Sequence, residues 1–377
     1  MQILNEIEDL DVLRHLYVHI PFCPRICPYC SFYKEASDRN RTQAFLDALL
    51  VELDRRLDQM SGCRLETIFF GGGTPSALSV KQLEFVLNGL RRRLDLSNIR
   101  EWTLEMNPAT VSLEKAKMIR DFGVNRISMG VQSWNPKILE TLGRVHTARQ
   151  AECSFEILRS AGFKNVNLDF IFGVPGQSAL EWEETLEKTI GLEPEHISAY
   201  CLTYEEDTDF FRRFSQGELT QDIERDAAFY EVTMAILEQA GYCQYEISNY
   251  ARHGFECLHN LGYWLGHNYL GLGPSAFSTV RSRRWQNIPD TSRYIEQIQA
   301  EIEPISFEET VSGEMRKAEE IAFGLRTLIG VPESKIASWP QEMASLMSEG
   351  YLEKAGNRVR LTAKGKMVAD SVAELFV

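Results

Sequence analysis

The sequence lacks any long hydrophobic run and any recognisable export signal. A membrane span needs about 18 or more apolar residues in a row, and no stretch of the 377 residues approaches that length. The start, MQILNEIEDLDVLRH, is acidic and has neither the basic region nor the apolar core of a signal peptide. These absences exclude an integral membrane segment and favour a cytoplasmic protein. The length allows one large domain plus a small one.

Positive charge is scarce as well. The chain has 40 Lys and Arg against 54 Asp and Glu, which gives a net charge of −14. The electric field of this negative net charge repels phosphate backbones and anionic lipid headgroups. Nucleic acid is therefore not expected as a partner.

Cysteine is sparse except in one stretch. Five of the eight cysteines stand alone and are expected to be reduced core thiols: Cys63, Cys153, Cys201, Cys243 and Cys257. The other three, Cys23, Cys27 and Cys30, share the segment YVHIPFCPRICPYCSF at 17–32 with the spacing C-x3-C-x2-C. We expect the functional site of the protein to be organised around this segment.

Three thiolates at this spacing can hold a four-iron, four-sulfur (4Fe-4S) cluster in which one iron has no protein ligand. A structural zinc site is an alternative, and it would need a fourth ligand such as His19 or Cys63. A disulfide framework is a second alternative, although it is typical of short secreted chains with an even number of cysteines. We favour the 4Fe-4S cluster.

Hydrophobic periodicity predicts strands that alternate with helices. The strands are expected at 16–20, 67–70, 102–106, 127–131, 166–172 and 197–202, and the helices at 42–57, 80–94, 113–122, 149–161, 180–189 and 222–240. Such alternation indicates parallel β/α units. Six units predict an α/β fold with a partial (β/α)6 barrel rather than a closed barrel of eight strands.

Three of these strands have one polar face, which is unusual because buried parallel strands are normally apolar on both faces. The polar positions are Thr103, Glu105, Asn107, Arg126, Ser128, Gln132, Asn165, Asn167 and Asp169. A polar lumen predicts a ligand inside the barrel. Barrel enzymes place their sites at the carboxyl ends of the strands, and the glycine-rich turn GGGTP at 71–75 lies at such an end. Its missing side chains would let the backbone approach a ligand closely.

The cysteine spacing, with Tyr29 before the last cysteine and HIPF before the first, resembles the radical S-adenosylmethionine (SAM) superfamily. Within it, the segments LEMNP, MGVQSWN, LGRVHTA and LDFIFGVPGQ resemble the oxygen-independent coproporphyrinogen III oxidase branch. The resemblance implies a radical SAM barrel whose open cluster iron binds the amino and carboxylate groups of SAM. It also implies a set of SAM-contacting residues: Tyr17, Tyr29, Gly72, Gly73, Thr74, Glu105, Gln132, Arg144 and Asp169.

The segment 241–303 is rich in aromatic residues and isolated histidines, and it is expected to extend the barrel that occupies 1–240. In its motif HNLGYW, His259 stands beside Tyr263 and Trp264. Such a histidine could ligate haem iron, or it could be an ordinary packed, hydrogen-bonded residue. The pattern H-N-x-x-Y-W resembles a signature of the HemW-type haem chaperones, and this makes His259 a candidate haem ligand.

The last part, 304–377, is expected to be a small winged-helix-like α+β module. It combines helical patterns at 312–328, 333–350 and 363–376 with a hairpin that turns at Gly356 and Asn357. Its 9 Lys and Arg against 11 Asp and Glu give a net charge of −2, which does not suit DNA. We interpret it as a structural or partner-contacting module.

The favoured function is a haem chaperone that carries a 4Fe-4S cluster and SAM, binds haem as cargo and delivers it to haem-requiring proteins, with a homodimer considered. The alternatives are an oxygen-independent coproporphyrinogen III oxidase or another radical SAM enzyme acting on a tetrapyrrole. Phe32 stands where the oxidase pattern continues to an additional cysteine, and only sixteen residues precede Tyr17, fewer than the oxidase arm. Both departures count against the oxidase and leave enzymatic activity open.

Overall fold

A computed structural model describes residues 12–57 and 63–376. Its strands are β1 (Leu13–Ile20), β2 (Phe22–Cys23), β3 (Glu35–Ala36), β4 (Thr67–Gly72), β5 (Glu101–Met106), β6 (Arg126–Gln132), β7 (Val166–Phe172), β8 (His196–Cys201), β9 (Cys243–Gln244), β10 (Asn249–Ala251), β11 (Asn268–Leu272), β12 (Phe277–Val280), β13 (Arg283–Asn287), β14 (Ile305–Thr310), β15 (Val331–Pro332), β16 (Leu352–Ala355) and β17 (Arg358–Leu361).

The helices are α1 (Arg39–Arg56), α2 (Val80–Arg93), α3 (Leu113–Asp121), α4 (Pro136–Thr141), α5 (Ala148–Ser160), α6 (Ala179–Gly191), α7 (Asp209–Ser215), α8 (Ile223–Gln239), α9 (Leu258–Trp264), α10 (Thr291–Gln299), α11 (Gly313–Leu325), α12 (Glu333–Ile336), α13 (Pro340–Ser348), α14 (Ala363–Lys366) and α15 (Ala369–Glu374). None of the helices in the described ranges has the length and apolar character needed to cross a membrane.

The predicted alternation of strands and helices is confirmed. Strands β1, β4, β5, β6, β7 and β8 lie side by side in chain order, and each neighbouring pair is parallel. Local sequence fixes where several connecting helices begin. Ser79, Thr147 and Ser178 each form a capping box with a Gln or Glu three residues later, which satisfies otherwise unpaired backbone N–H groups of the first turn.

Alternate side chains of these strands point to opposite sides. Leu104, Ile127 and Leu168 are fully buried on the side covered by the helices. Polar residues such as Ser128 and Asn167 face the lumen. The core therefore lies between sheet and helices and leaves the lumen for a ligand.

The sheet has a seventh parallel strand that the sequence analysis missed. Strand β11 pairs in parallel with β1, with Gly271 opposite Tyr17. Strands β12, β13 and β14 continue this edge in antiparallel fashion, and β10 and β9 extend the opposite edge. The resulting sheet of 12 strands stays open, with β14 and β9 as its edges. Strand β14 lies directly after the boundary expected at 304, yet it pairs with β13 in this large sheet.

The C-terminal segment has a core of its own, which includes Ile321, Leu325, Val359, Leu361 and Phe376. The segment contains a three-stranded sheet in the order β15-β17-β16. Strands β16 and β17 flank the predicted turn at Gly356 and Asn357. This segment is joined to the connection between β9 and β10 by a hydrogen bond of 2.9 Å from the Leu328 N–H to the Tyr245 carbonyl. Its winged-helix-like description stays a prediction.

Candidate functional site

Two adjoining cavities open at the carboxyl ends of the parallel strands, and the larger one reaches down the lumen to Arg126, the first residue of β6. The cysteine-side cavity has a volume of about 460 Å³ and is bordered by Cys30, Arg144 and Gln132. The aromatic cavity is larger, about 790 Å³, and its aromatic lining consists of Tyr17, Phe32, Tyr33, Phe69, Tyr200, Tyr263, Tyr269, Phe277 and Phe323. Both cavities share Gly72, Glu105, Ser128 and Asp169. Two ligands in these cavities would therefore be in contact or nearly so.

Of the three clustered cysteines, Cys23 ends the short strand β2 and the other two lie in the loop between β2 and β3, and all three are partly exposed free thiols. The Cys30 N–H donates to the Cys27 carbonyl at 3.3 Å. Two neighbouring side chains point polar atoms at sulfur: the Thr74 hydroxyl lies 3.4 Å from Cys23 Sγ, and Arg144 Nη1 lies 3.6 Å from Cys27 Sγ. Burial raises the pKa of Cys23. A cysteine binds metal as the thiolate, and burial makes the thiolate less favourable. The contacts with Thr74 and Arg144, together with a bound metal centre, would offset this effect.

A single zinc ion fits this loop poorly. The His19 ring is already engaged, with Nδ1 3.1 Å from the Tyr17 hydroxyl and Nε2 2.9 Å from the Tyr33 carbonyl oxygen. Cys63 lines a separate small cavity. Within residues 12–57 and 63–376, no three His, Cys, Asp or Glu side chains gather closely enough for one metal ion. A 4Fe-4S cluster suits the wider arrangement because each thiolate binds a different iron.

The glycine turn after β4 is tied to the segment that leads into the cysteines. The Gly73 N–H donates to the Ile20 carbonyl at 2.8 Å, and the Thr74 N–H donates to the Phe22 carbonyl at 2.9 Å. A Cβ on Gly73 would lie 2.8 Å from the Ile20 oxygen, and one on Gly72 would overlap the His19 ring. Gly72 also has a φ of 100°, which favours glycine. Packing within the protein therefore requires both glycines, and their close approach to a ligand stays a prediction.

The residues expected to contact SAM gather in one place, with one exception. The cysteine-side cavity is lined by Tyr29, Gly72, Gly73, Thr74, Glu105, Gln132, Arg144 and Asp169. Tyr17 lines the aromatic cavity instead. Thr103 and Asn165, which the sequence predicts on the polar strand faces, line neither cavity.

Two carboxylates face this site with unusual protonation behaviour. Burial raises the pKa of Asp169, whose oxygens accept hydrogen bonds from Ser128 Oγ at 2.9 Å and Asn167 Nδ2 at 2.8 Å. Burial and the neighbouring Asp169 raise the pKa of Glu105 to about 8. An ammonium group or ribose hydroxyls would compensate the burial of both carboxylates.

Arg144 supplies the opposite charge. Its Nη2 donates to the Gly130 carbonyl at 2.8 Å, while its buried Nε has no partner in the part of the chain that the structure describes. Close by, β6 has an irregularity between Gly130 and Gln132, and Gln132 adopts a left-handed φ of 68°. Such a conformation costs about 1–3 kcal/mol in a residue other than glycine. Together, the orphaned guanidinium nitrogen and the opposed carboxylates fit a zwitterionic ligand such as SAM.

His259 is buried at the border of the aromatic cavity, and both of its ring nitrogens have partners. Its Nδ1 lies 2.7 Å from Thr67 Oγ1 and its Nε2 lies 2.9 Å from the Tyr263 hydroxyl. The ring also stacks on Phe69, with centroids 5.1 Å apart. Ligation of haem iron through Nε2 would require the Tyr263 hydroxyl to move away.

The fold and the cysteine loop define a radical SAM protein, and a model of the Radical SAM superfamily matches residues 17–189. The chain is 35% identical over 376 residues to the protein named Heme chaperone HemW of Bacillus subtilis (strain 168), covering 97% of this chain and 99% of that one. Its identity to the Heme chaperone HemW of Escherichia coli (strain K12) is 34%, covering 96% of this chain and 97% of that one. The chain belongs to the HemW family of radical SAM proteins.

A solved structure has the same fold. Coproporphyrinogen III oxidase (HemN) from Escherichia coli superposes with a TM-score of 0.85 at 23% identity, covering 98% of this chain and 91% of that one. At this identity, the likeness concerns the fold alone. The predicted radical SAM fold is confirmed.

Proposed function

We propose that this protein is a haem carrier that binds haem in the aromatic cavity and passes it to haem-requiring proteins. The near full-length similarity to proteins named Heme chaperone HemW supports this proposal. The observation that carries it is the aromatic cavity itself. Its volume of about 790 Å³ falls within the roughly 300–1,000 Å³ of typical ligand sites, and its aromatic rings offer the flat apolar surface that a macrocycle can pack against.

The cysteine-side cavity holds SAM beside a 4Fe-4S cluster on Cys23, Cys27 and Cys30. Membership of the radical SAM superfamily implies both cofactors. When bound, the cluster offers its open iron to the amino and carboxylate groups of SAM. Arg144, next to Cys27 Sγ, would balance the negative charge of the thiolates and of the SAM carboxylate. Glu105 and Asp169 would receive the ammonium group or the ribose hydroxyls.

Within the aromatic cavity, we assign His259 as the haem ligand through Nε2. Burial lowers the pKa of His259 to about 3, so the imidazole is neutral, as coordination requires. For Nε2 to bind iron, Nδ1 carries the proton and donates it to Thr67 Oγ1 at 2.7 Å, which would orient the ring in the manner of an outer partner of a metal ligand. Binding would exchange the Tyr263 hydroxyl for iron.

Oxidative decarboxylation of coproporphyrinogen III is the competing function. Phe32 is 70% exposed and borders both cavities, at the position where the oxidase pattern has an additional cysteine. A phenyl ring supplies no thiol at this position. This favours a carrier over the oxidase.

The test is to reconstitute the protein without oxygen and run two assays in parallel. Haem titration should produce a saturable Soret band, and the loaded protein should transfer haem to an apo-globin. Incubation with coproporphyrinogen III, SAM and a reductant should leave the substrate unchanged. SAM-dependent decarboxylation would replace the carrier proposal with the oxidase. The homodimer and the cytoplasmic location stay predictions, and size-exclusion chromatography tests the first of them.

A further inference from the structure

One buried arginine on the wall of the aromatic cavity has no ion-pair partner among the residues that the structure describes. Arg126, the first residue of β6, is 2% exposed and lines the cavity. Its Nη1 makes one long hydrogen bond of 3.5 Å to Thr103 Oγ1, and its buried Nε has no partner in the described ranges. Burying a charged group without pairing it is costly. A guanidinium retained in this state points to a partner that is a ligand.

Two of the carboxylates around Arg126, those of Glu101 and Asp169, already accept other hydrogen bonds. Glu101 accepts hydrogen bonds from the backbone N–H groups of Leu258 at 2.9 Å and His259 at 3.1 Å. Asp169 accepts those of Ser128 and Asn167. These carboxylates contribute to the raised pKa of Arg126 and so help to keep the guanidinium charged. Neither one forms an ion pair with it, as far as the described residues show.

The other arginines of the cavity differ from Arg126. Arg284 donates to Glu319 at 2.7 Å and to Glu309 at 3.0 Å, so its charge is already paired. Arg316 is only half-buried and donates to the carbonyl of Arg281. An anion that enters the aromatic cavity therefore gains most from Arg126.

We propose that Arg126 binds a carboxylate of the molecule that occupies the aromatic cavity. Guanidinium and carboxylate match as planar partners that can form two parallel hydrogen bonds. This inference rests on the proposed function, under which the carboxylate is a propionate of haem. Arg126 would then anchor the edge of the macrocycle, since an apolar aromatic lining alone fixes no rotation in the plane.

The test compares haem with its dimethyl ester, which keeps the macrocycle and iron but has no carboxylates. Both are titrated into the reconstituted full chain and followed by the Soret band. We expect wild type to bind haem at least about tenfold more tightly than the ester, the usual size for hydrogen bonds to charged groups. Arg126→Gln should lower haem affinity to the level of the ester and leave ester binding unchanged, and Arg126→Lys should restore part of the difference.

Arg56→Gln is the matched control, because Arg56 is an equally buried arginine that pairs with Glu303 and does not line the cavity. It should preserve the preference for haem. Equal affinities of wild type for haem and ester would overturn the role of Arg126 while leaving haem binding intact. Binding of neither compound would overturn the proposed function and this inference together. Where Arg126→Gln does not fold, equal affinities of wild type still refute the proposal, and Arg126→Lys, which keeps the charge without the planar fork, should show a smaller preference for haem than wild type does.

Discussion

The Nε2 atom of His259 lies 2.9 Å from the hydroxyl oxygen of Tyr263. On the other side of the ring, Thr67 Oγ1 lies between two histidines: it is 2.7 Å from Nδ1 of His259 and 2.8 Å from Nδ1 of His15. His15 Nε2 in turn lies 3.0 Å from His267 Nδ1. His259 therefore belongs to a continuous hydrogen-bonded chain from the cavity to His267. Its availability as a metal ligand depends on one competitor, the Tyr263 hydroxyl.

We predict that Tyr263→Phe increases haem affinity. Removing the hydroxyl frees Nε2 without changing the aromatic surface, and a hydrogen bond is worth about 0.5–1.5 kcal/mol, or about two- to tenfold in affinity. His259→Ala should weaken haem binding and alter the Soret band. Both are measured by haem titration.

Tyr269→Phe is the control for this prediction. It makes the same chemical change in the same cavity, at a tyrosine whose ring packs on Tyr263 with centroids 4.6 Å apart and whose hydroxyl lies near Thr279. Identical affinities of the two phenylalanine variants, with an unaltered spectrum in His259→Ala, would show that another group binds the iron.

The cluster should depend on three cysteines alone. Replacing Cys23, Cys27 and Cys30 by alanine should abolish the brown colour and the EPR signal after reduction, because each thiolate binds one iron of the cluster. The matched control replaces Cys63, Cys153 and Cys243, which lie outside this loop, and should retain the full iron and sulfide content. A cluster that survives in the first variant and is lost in the second would refute the assignment.

Binding of SAM should require the charged groups of the cysteine-side cavity. Arg144→Ala and Asp169→Ala should each weaken SAM binding about ten- to 150-fold, since hydrogen bonds to charged groups contribute about 1.5–3 kcal/mol. Calorimetric titration of the reconstituted protein gives the affinity, and its iron content shows whether the cluster is intact. Unchanged affinity in both variants, with the cluster present, would place SAM elsewhere.

Much of this architecture could be predicted because it follows from local rules. The period of the apolar residues distinguishes strands from helices, and the S/T-x-x-E/Q boxes at Ser79 and Ser178 mark helix starts. The clustered cysteines are recognisable from their spacing alone. The predicted site residues come together because parallel strands bring their carboxyl ends to one edge.

What could not be predicted depends on contacts between distant segments. Strand β11 has the short sequence NYLGL, and only its pairing with β1 reveals it as a strand. The requirement for glycine at Gly73 comes from the Ile20 backbone, 53 positions earlier in the chain. The sequence predicts Arg126 as a polar residue on a strand. That it forms no ion pair with Glu101 or Asp169 follows from the other hydrogen bonds of these two carboxylates, which only the structure shows.

The raised pKa of Glu105 leads us to predict how the free energy of unfolding changes with pH. In the folded protein, burial and then Asp169 raise it to about 8 from an ordinary value of 4.5. Between these values, the folded protein keeps a proton that the unfolded chain has released, so the contribution of Glu105 to the free energy of unfolding falls as pH rises. The destabilisation begins near pH 4.5 and is complete above about pH 8.

Urea unfolding of the cofactor-free protein at pH 5.5 and pH 8.5 tests this sign. Glu105→Gln, which cannot ionise, should lose less stability between the two pH values than wild type does. The buried histidines, whose pKa values are lowered by burial, lose stability toward acid in both proteins and cancel in the comparison. Glu184→Gln, at an exposed glutamate, should follow wild type. If Glu105→Gln follows wild type too, Glu105 is ionised throughout this range in the folded protein, and its pKa is not raised.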